Sequence, residues 1–287
     1  MSSSSTSNFQ YASNSHGVNP MIYQSAVFPP SKNPTASKYQ PAYNSTSRKG
    51  YDIENGEGVF HSSEEISFSK FVSQTLNYVS LQLLSTMFVS ISMYMHKQHV
   101  IDLINSNSGY FWLPIIFTFI SLAGLHCSGK NSWCQLTWFW CFTISFSFMV
   151  GVSVLTYSPN IVLKAVITTG LIVMGVNAYC HYAASKGIDL SFLGPILMTS
   201  LFALIIIGIL NIFIKSDLVG LLICFFGVLV FTGLLLFDLD RLYYKNKNNG
   251  EYMESPMIAA VEIYLDIINL FLYLMEIYKR CDDSGSN

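Results

Sequence analysis

The stretch Ser255–Tyr278, SPMIAAVEIYLDIINLFLYLMEIY, decides how the chain is read. It is long and apolar enough to cross a bilayer, which takes about 20 residues as a helix. Yet it carries Glu262, Asp266 and Glu276. An ionised acid at the centre of a lone membrane helix costs roughly 2.5–3.5 kcal/mol on insertion scales. Asp266 lies near the midpoint and reaches neither interface, so it must be protonated, paired or turned to a polar cavity. Glu262 and Asp266 are four residues apart and Asn269 follows three later, which puts all three on one helical face. The helix has a polar stripe to hide and an outward surface of Leu, Ile and Phe. It calls for a bundle around it.

The rest of the chain supplies one. Hydrophobic residues make up 51% and charged residues 11% of the sequence, where a soluble domain carries about a quarter charged. The fold class expected is an all-α integral membrane bundle. The net charge of −2 gives no case for nucleic-acid binding. The six cysteines are scattered and no C-x-x-C occurs, so the sequence supports neither a zinc site nor a disulfide framework. No basic-then-apolar leader opens the chain, and the first span is expected to direct insertion.

Seven apolar segments are read: Phe71–Tyr94, Tyr110–Cys127, Leu136–Tyr157, Ile161–Tyr182, Leu190–Ile214, Leu218–Asp238 and Met257–Tyr278. Short connections make neighbours antiparallel hairpins. Residues 1–67, rich in Ser, Asn, Tyr and Pro, have too few aliphatics to offset chain entropy and are expected to be a disordered, water-exposed tail. Its PPSKNP and YQPAY stretches suit adaptor modules that read Pro-rich chain. Residues 68–280 form the membrane domain and 281–287 a short polar end. Lys70, Lys130, Lys186, Arg241, Lys245 and Lys247 fall on the tail's side of the spans, against Lys97, Lys164 and Lys215 opposite, which places the tail in the cytosol. Asn44 begins a glycosylation pattern that a cytosolic tail leaves unused. Seven full crossings put Lys279 and Arg280 outside, against the same rule, so the sequence leaves open whether the last helix crosses completely.

A second intramembrane acid, Asp238, closes the sixth span in LLLFDLDRLYY. Spans six and seven are antiparallel neighbours, so Asp238 and Asp266 meet only if Asp238 lies deeper than the end of its apolar run or the last helix is shifted. If they meet, two carboxylates in low dielectric cannot both ionise cheaply, and they share a proton. The alternative is two separate acids, each satisfied by backbone or a hydroxyl. Asp240 and Arg241 are read as interfacial. Gln74, Asn77 and Gln82 in the first span, and Asn177 with His181 in the fourth, are read as interhelical contacts.

These residues resemble a known family. Ile263–Met275, IYLDIINLFLYLM, with Ala259 and Ala260 before it, is similar to the signature of the transmembrane Bax-inhibitor-motif family, lifeguard branch. Tyr78–Thr86, Phe142–Thr143 with Met149–Gly151, Ala165–Thr169, Lys186–Ser191 and Phe237–Asp240 resemble other stretches of that family, over about Phe68 to Tyr278. The resemblance implies a cytosolic tail and seven helices with the last one central. It also implies two aspartates acting as a proton-sensing pair, here Asp238 and Asp266. Where the family has Thr-Gln after the first aspartate, this chain has Leu239-Asp240. Some members hold the pair with a basic residue in the second helix; here Lys130 lies beyond that helix.

Three functions are weighed. The resemblance implies a pH-dependent calcium leak across internal membranes, endoplasmic reticulum or Golgi, that restrains cell death. Calcium is then cargo contacting Asp238 and Asp266, with Glu262 and Asn269 on the pore stripe and no resident cofactor. Carboxylate oxygens are suitable hard ligands for it. The alternative is a non-conducting scaffold that binds death regulators through its tail. An enzyme is not expected. An intramembrane aspartyl protease would place Gly-x-Gly before its second aspartate, and Ile263-Tyr264-Leu265 stands there instead.

Overall fold

The computed structural model describes residues 56–106, 109–129, 132–245 and 255–285. Helices α1 (Gly56–Met95), α2 (Lys97–Ser106), α3 (Gly109–Cys127), α4 (Ser132–Val154), α5 (Pro159–Lys186), α6 (Leu193–Ile214), α7 (Asp217–Asp240) and α8 (Pro256–Gly285) follow in order, and a π turn, Arg241–Lys245, extends α7. No strand occurs among the described residues. The seven apolar segments fall on α1 and α3 to α8. Six of these helices are long and apolar enough to cross a membrane; the apolar run of α3, Trp112–Cys127, is shorter. At about 1.5 Å per residue, all of α3 spans roughly 28 Å, close to the ~30 Å hydrocarbon thickness.

Local chemistry sets the helix ends. Ser158 is extended and Pro159 opens α5, where its missing N–H costs nothing. Gly187 closes α5 in the left-handed region at φ 71°, and Ile188 N–H returns to Ala183 O at 3.0 Å. Between α6 and α7 only Lys215 and Ser216 intervene; the Ser216 hydroxyl caps α7 by accepting Val219 N–H at 3.5 Å.

Two boundaries differ from the sequence reading. Helix α1 begins at Gly56, so residues 56–67 are helical rather than part of a tail. Once a span is nucleated, each added residue fixes one dihedral pair for one hydrogen bond. For the same reason α8 runs through Gly285, past the polar end assigned to 281–287. Helix α2 was not anticipated; its ten residues are amphipathic and none is buried. The calls on residues 1–55, including the adaptor stretches and Asn44, and on Lys130 and Lys247, lie outside the described residues.

Helix α8 is the axis of the bundle and packs against α1, α4, α5 and α7. Its apolar window is 67% buried, against 6% for α6, which packs on α7 alone among the well-formed helix pairs. Contacts fix the directions. Gln82 and Thr86 of α1 meet Thr143 and Ser147 of α4 in matching order, so those helices are parallel. Ser255 meets Gln135 at one end of α8, and Glu276 meets Tyr157 at the other, so α8 runs parallel to α4. Asp217, the first residue of α7, meets Arg280 near the end of α8, so α7 and α8 are antiparallel over their full lengths. The last helix therefore spans the whole bundle. We call the end where α4, α6 and α8 begin proximal, and the other distal.

The α1–α4–α8 triangle is tied by hydroxyls. Gln82 Nε2 donates to Thr143 Oγ1 at 3.1 Å, and Thr86 Oγ1 lies 2.8 Å from Ser147 Oγ and 2.7 Å from Tyr264 OH. All five residues are buried. Phe142 and Phe146 pack edge-on to the Tyr264 ring. These bonds satisfy the hydroxyls and the Gln82 amide nitrogen, though not Gln82 Oε1, and hold the helices in one register.

Candidate functional site

Helices α7 and α8 place their acids together. Asp238 is not at the end of its helix, because the helical path continues through the π turn to Lys245. That leaves Asp238 seven residues, or roughly 10 Å, inside the proximal end. Asp266 lies ten residues, or roughly 15 Å, into α8 from Pro256. The two carboxyls face each other within hydrogen-bonding reach. Asp238 is 9% exposed and Asp266 6%. Asp266 Oδ2 meets no amide, amine or hydroxyl donor. Two carboxylates are acceptors only, so a hydrogen bond between them requires a proton on one.

A second rung lies one turn nearer the proximal end. Arg241 is three residues after Asp238, and Glu262 is four before Asp266. Arg241 Nη1 donates to Glu262 Oε2 at 3.4 Å, with each side chain about one-third exposed (34% and 35%). Both charges act on Asp238. The π turn widens the backbone at this point, a distortion common at functional sites.

Asn269 behaves differently. Its Nδ2 donates to Leu265 O of its own helix at 2.9 Å, so it shares the stripe without joining the pair.

Asp240 corrects the sequence reading. It is 1% exposed rather than interfacial, and its carboxyl accepts Leu190 N–H at 3.3 Å, pinning the α5–α6 connection onto α7. The continued helix carries it below that loop. Asn177 Oδ1 accepts from Tyr243 OH at 2.9 Å and His181 packs edge-on to the same ring, as the interhelical reading expects.

Comparison with known protein families gives a match over residues 68–283 to the family described as inhibitor of apoptosis-promoting Bax1. The chain belongs to this family. Among curated relatives it is 34% identical over 242 residues to a BI1-like protein of Arabidopsis thaliana, covering 82% of this chain and 92% of the relative. It is 32% identical over 238 residues to Protein LIFEGUARD 1 of Arabidopsis thaliana, covering 80% and 98%. A shorter similarity, 33% over 138 residues, reaches a Golgi anti-apoptotic protein of vaccinia virus (strain Lister), covering 48% of this chain and 55% of that protein. For this Bax1-inhibitor family member, the resemblance pointed to a basic residue in the second helix. Here Arg241 stands one turn from Asp238, on the same helical path. The signal was present in the spacing: Arg241 and Glu262 each lie one turn from an aspartate, in the same direction along antiparallel helices.

Among the described residues no group of three or more His, Cys, Asp or Glu side chains is placed to hold a metal. The pair alone offers four oxygens, whereas Ca²⁺ takes six to eight.

Proposed function

We propose that this membrane protein is a proton-controlled leak path for calcium in an internal membrane, and that by lowering stored calcium it restrains apoptosis. The observation that carries the reading is the buried Asp238–Asp266 pair between α7 and the central helix. While one proton is shared, the pair ties the two helices together. When it leaves, two charges face each other in low dielectric, and the strain is relieved by separation or by a cation. Protons and Ca²⁺ compete for the same oxygens, which gives pH control with no further machinery. Arg241 and Glu262, one turn outward, set the local charge at the proximal mouth.

The chemistry is transport rather than bond-making, so no enzyme activity is assigned. The family description and the printed name of the viral relative support a death-restraining role and residence in the Golgi or endoplasmic reticulum. The Lys and Arg bias supports a cytosolic tail, which leaves its Pro-rich stretches available to adaptors. Calcium flux from liposomes holding the purified full-length protein, taken across a pH series, tests the reading. Flux that follows pH supports it. A protein that passes no calcium at any pH refutes it and returns the function to scaffolding.

A further inference from the structure

The stripe of α8 does not stop at Asn269. Tyr273, Glu276 and Arg280 follow at steps of four, three and four residues, and so continue the same face towards α7. Tyr273 lies over Gly227, where a Cβ would come within 2.8 Å of the ring, and stacks on Phe231 with centroids 5.7 Å apart. This is an aromatic stretch of the seam, distal to the carboxyl pair.

Beyond it Glu276 is held from two sides. Tyr157 OH donates to Oε2 at 2.9 Å, and Arg280 Nε donates to Oε1 at 2.9 Å. The same guanidinium reaches α7, where Nη1 donates to Asp217 O at 3.1 Å. It lies so close over Gly220 that a Cβ there would meet Nη2 at 2.8 Å. A carboxylate only accepts, so the Tyr157 hydroxyl is the donor of this bond. Cys224 is buried on α7, one turn inward of the Gly220 over which this guanidinium lies.

We propose that the Tyr157–Glu276–Arg280 network, anchored on the Asp217 backbone, is a second closure of the α7–α8 seam, at the distal end, with Arg280 as the positioning residue. The proposal rests on the reading of this seam as the cation path. An ion pair about one-quarter exposed contributes little to stability. Its position decides its effect: a fixed guanidinium at the end of a cation path repels the cation and engages the acid that would otherwise attract it. The network joins the α4–α5 connection, the start of α7 and the end of α8. Parting α7 from α8 at this end breaks the Arg280–Asp217 contact and uncovers Cys224.

Cys224 is the reporter. In full-length protein in liposomes, with the other five cysteines replaced by serine, labelling of Cys224 by a charged, water-soluble maleimide is timed. Labelling is expected to be slow in this parent and to rise about ten- to a hundredfold in Arg280→Gln, the effect of losing a charge-assisted hydrogen bond on a closed population. Tyr157→Phe, which removes one hydroxyl and keeps the shape, should raise it less. An unchanged rate in both Arg280→Gln and Tyr157→Phe overturns the closure. Labelling does not depend on conduction: if it rises as expected while the same liposomes pass no calcium, the closure stands and the calcium reading falls.

Discussion

Replacing Asp238 or Asp266 by Asn keeps side-chain shape and removes one titration. Both positions are less than one-tenth exposed. Two full charges about 4 Å apart at an effective dielectric of about 20 repel by roughly 4 kcal/mol, which disfavours the doubly ionised pair about a thousandfold. On the proposed reading the shared proton is the controlling element, and it belongs to the pair. In Asp238→Asn the amide can donate to the Asp266 carboxylate, so the fold should persist while the repulsion that drives opening is gone. Calcium flux should lose its dependence on pH, and Asp266→Asn should give the same flat profile. Because the groups act as a unit, the double variant should differ from either single by less than about 0.5 kcal/mol, or roughly twofold in flux. The assay is calcium efflux from liposomes at matched protein density, over a pH series, for all four proteins. If both single variants keep the parent profile, or if their effects multiply in the double, the carboxyls work separately and the reasoning fails.

Other consequences concern the neighbours of the pair. Arg241→Gln removes the counter-charge of Glu262 and the cation one turn from Asp238; it should move the midpoint of the flux profile along the pH axis while leaving a profile to measure, and an unmoved midpoint would detach this rung from the pair. Thr86→Val deprives the buried Tyr264 hydroxyl and Ser147 of their partner, so a loss of about 1–3 kcal/mol is expected, read as a lower unfolding temperature in detergent. Gly227→Ala drives a methyl against the Tyr273 ring, which Phe231 holds from the side, and overpacking of this kind costs about 1–3 kcal/mol. Equal unfolding temperatures for Gly227→Ala and the parent would mean that the ring swings aside freely.

Much of the fold was legible because a bilayer constrains sequence so strongly. Each apolar run had to be a helix, since no water is available to satisfy a backbone in hydrocarbon. The depth of Asp238 was not legible. Its apolar run ends beside it, and only the continued helical path through the π turn at Arg241–Lys245 shows it to lie about two turns inside. Asp240 was misplaced for the same reason, because a charged residue at the end of an apolar run looks interfacial until the α5–α6 connection is seen packed over it.

The sequence by itself determined that Asp266 needs a partner, since a mid-span acid cannot remain alone in hydrocarbon. It also determined which face of the last helix that partner would meet, since residues 262, 266 and 269 recur at helical spacing. The choice of partner belonged to the tertiary structure. Antiparallel packing of α7 against α8 brings Asp238 level with Asp266, Arg241 level with Glu262, and Asp217 level with Arg280. Those pairings depend on the relative shift of two helices joined by a connection, and helical periodicity fixes the face of a residue but not its height.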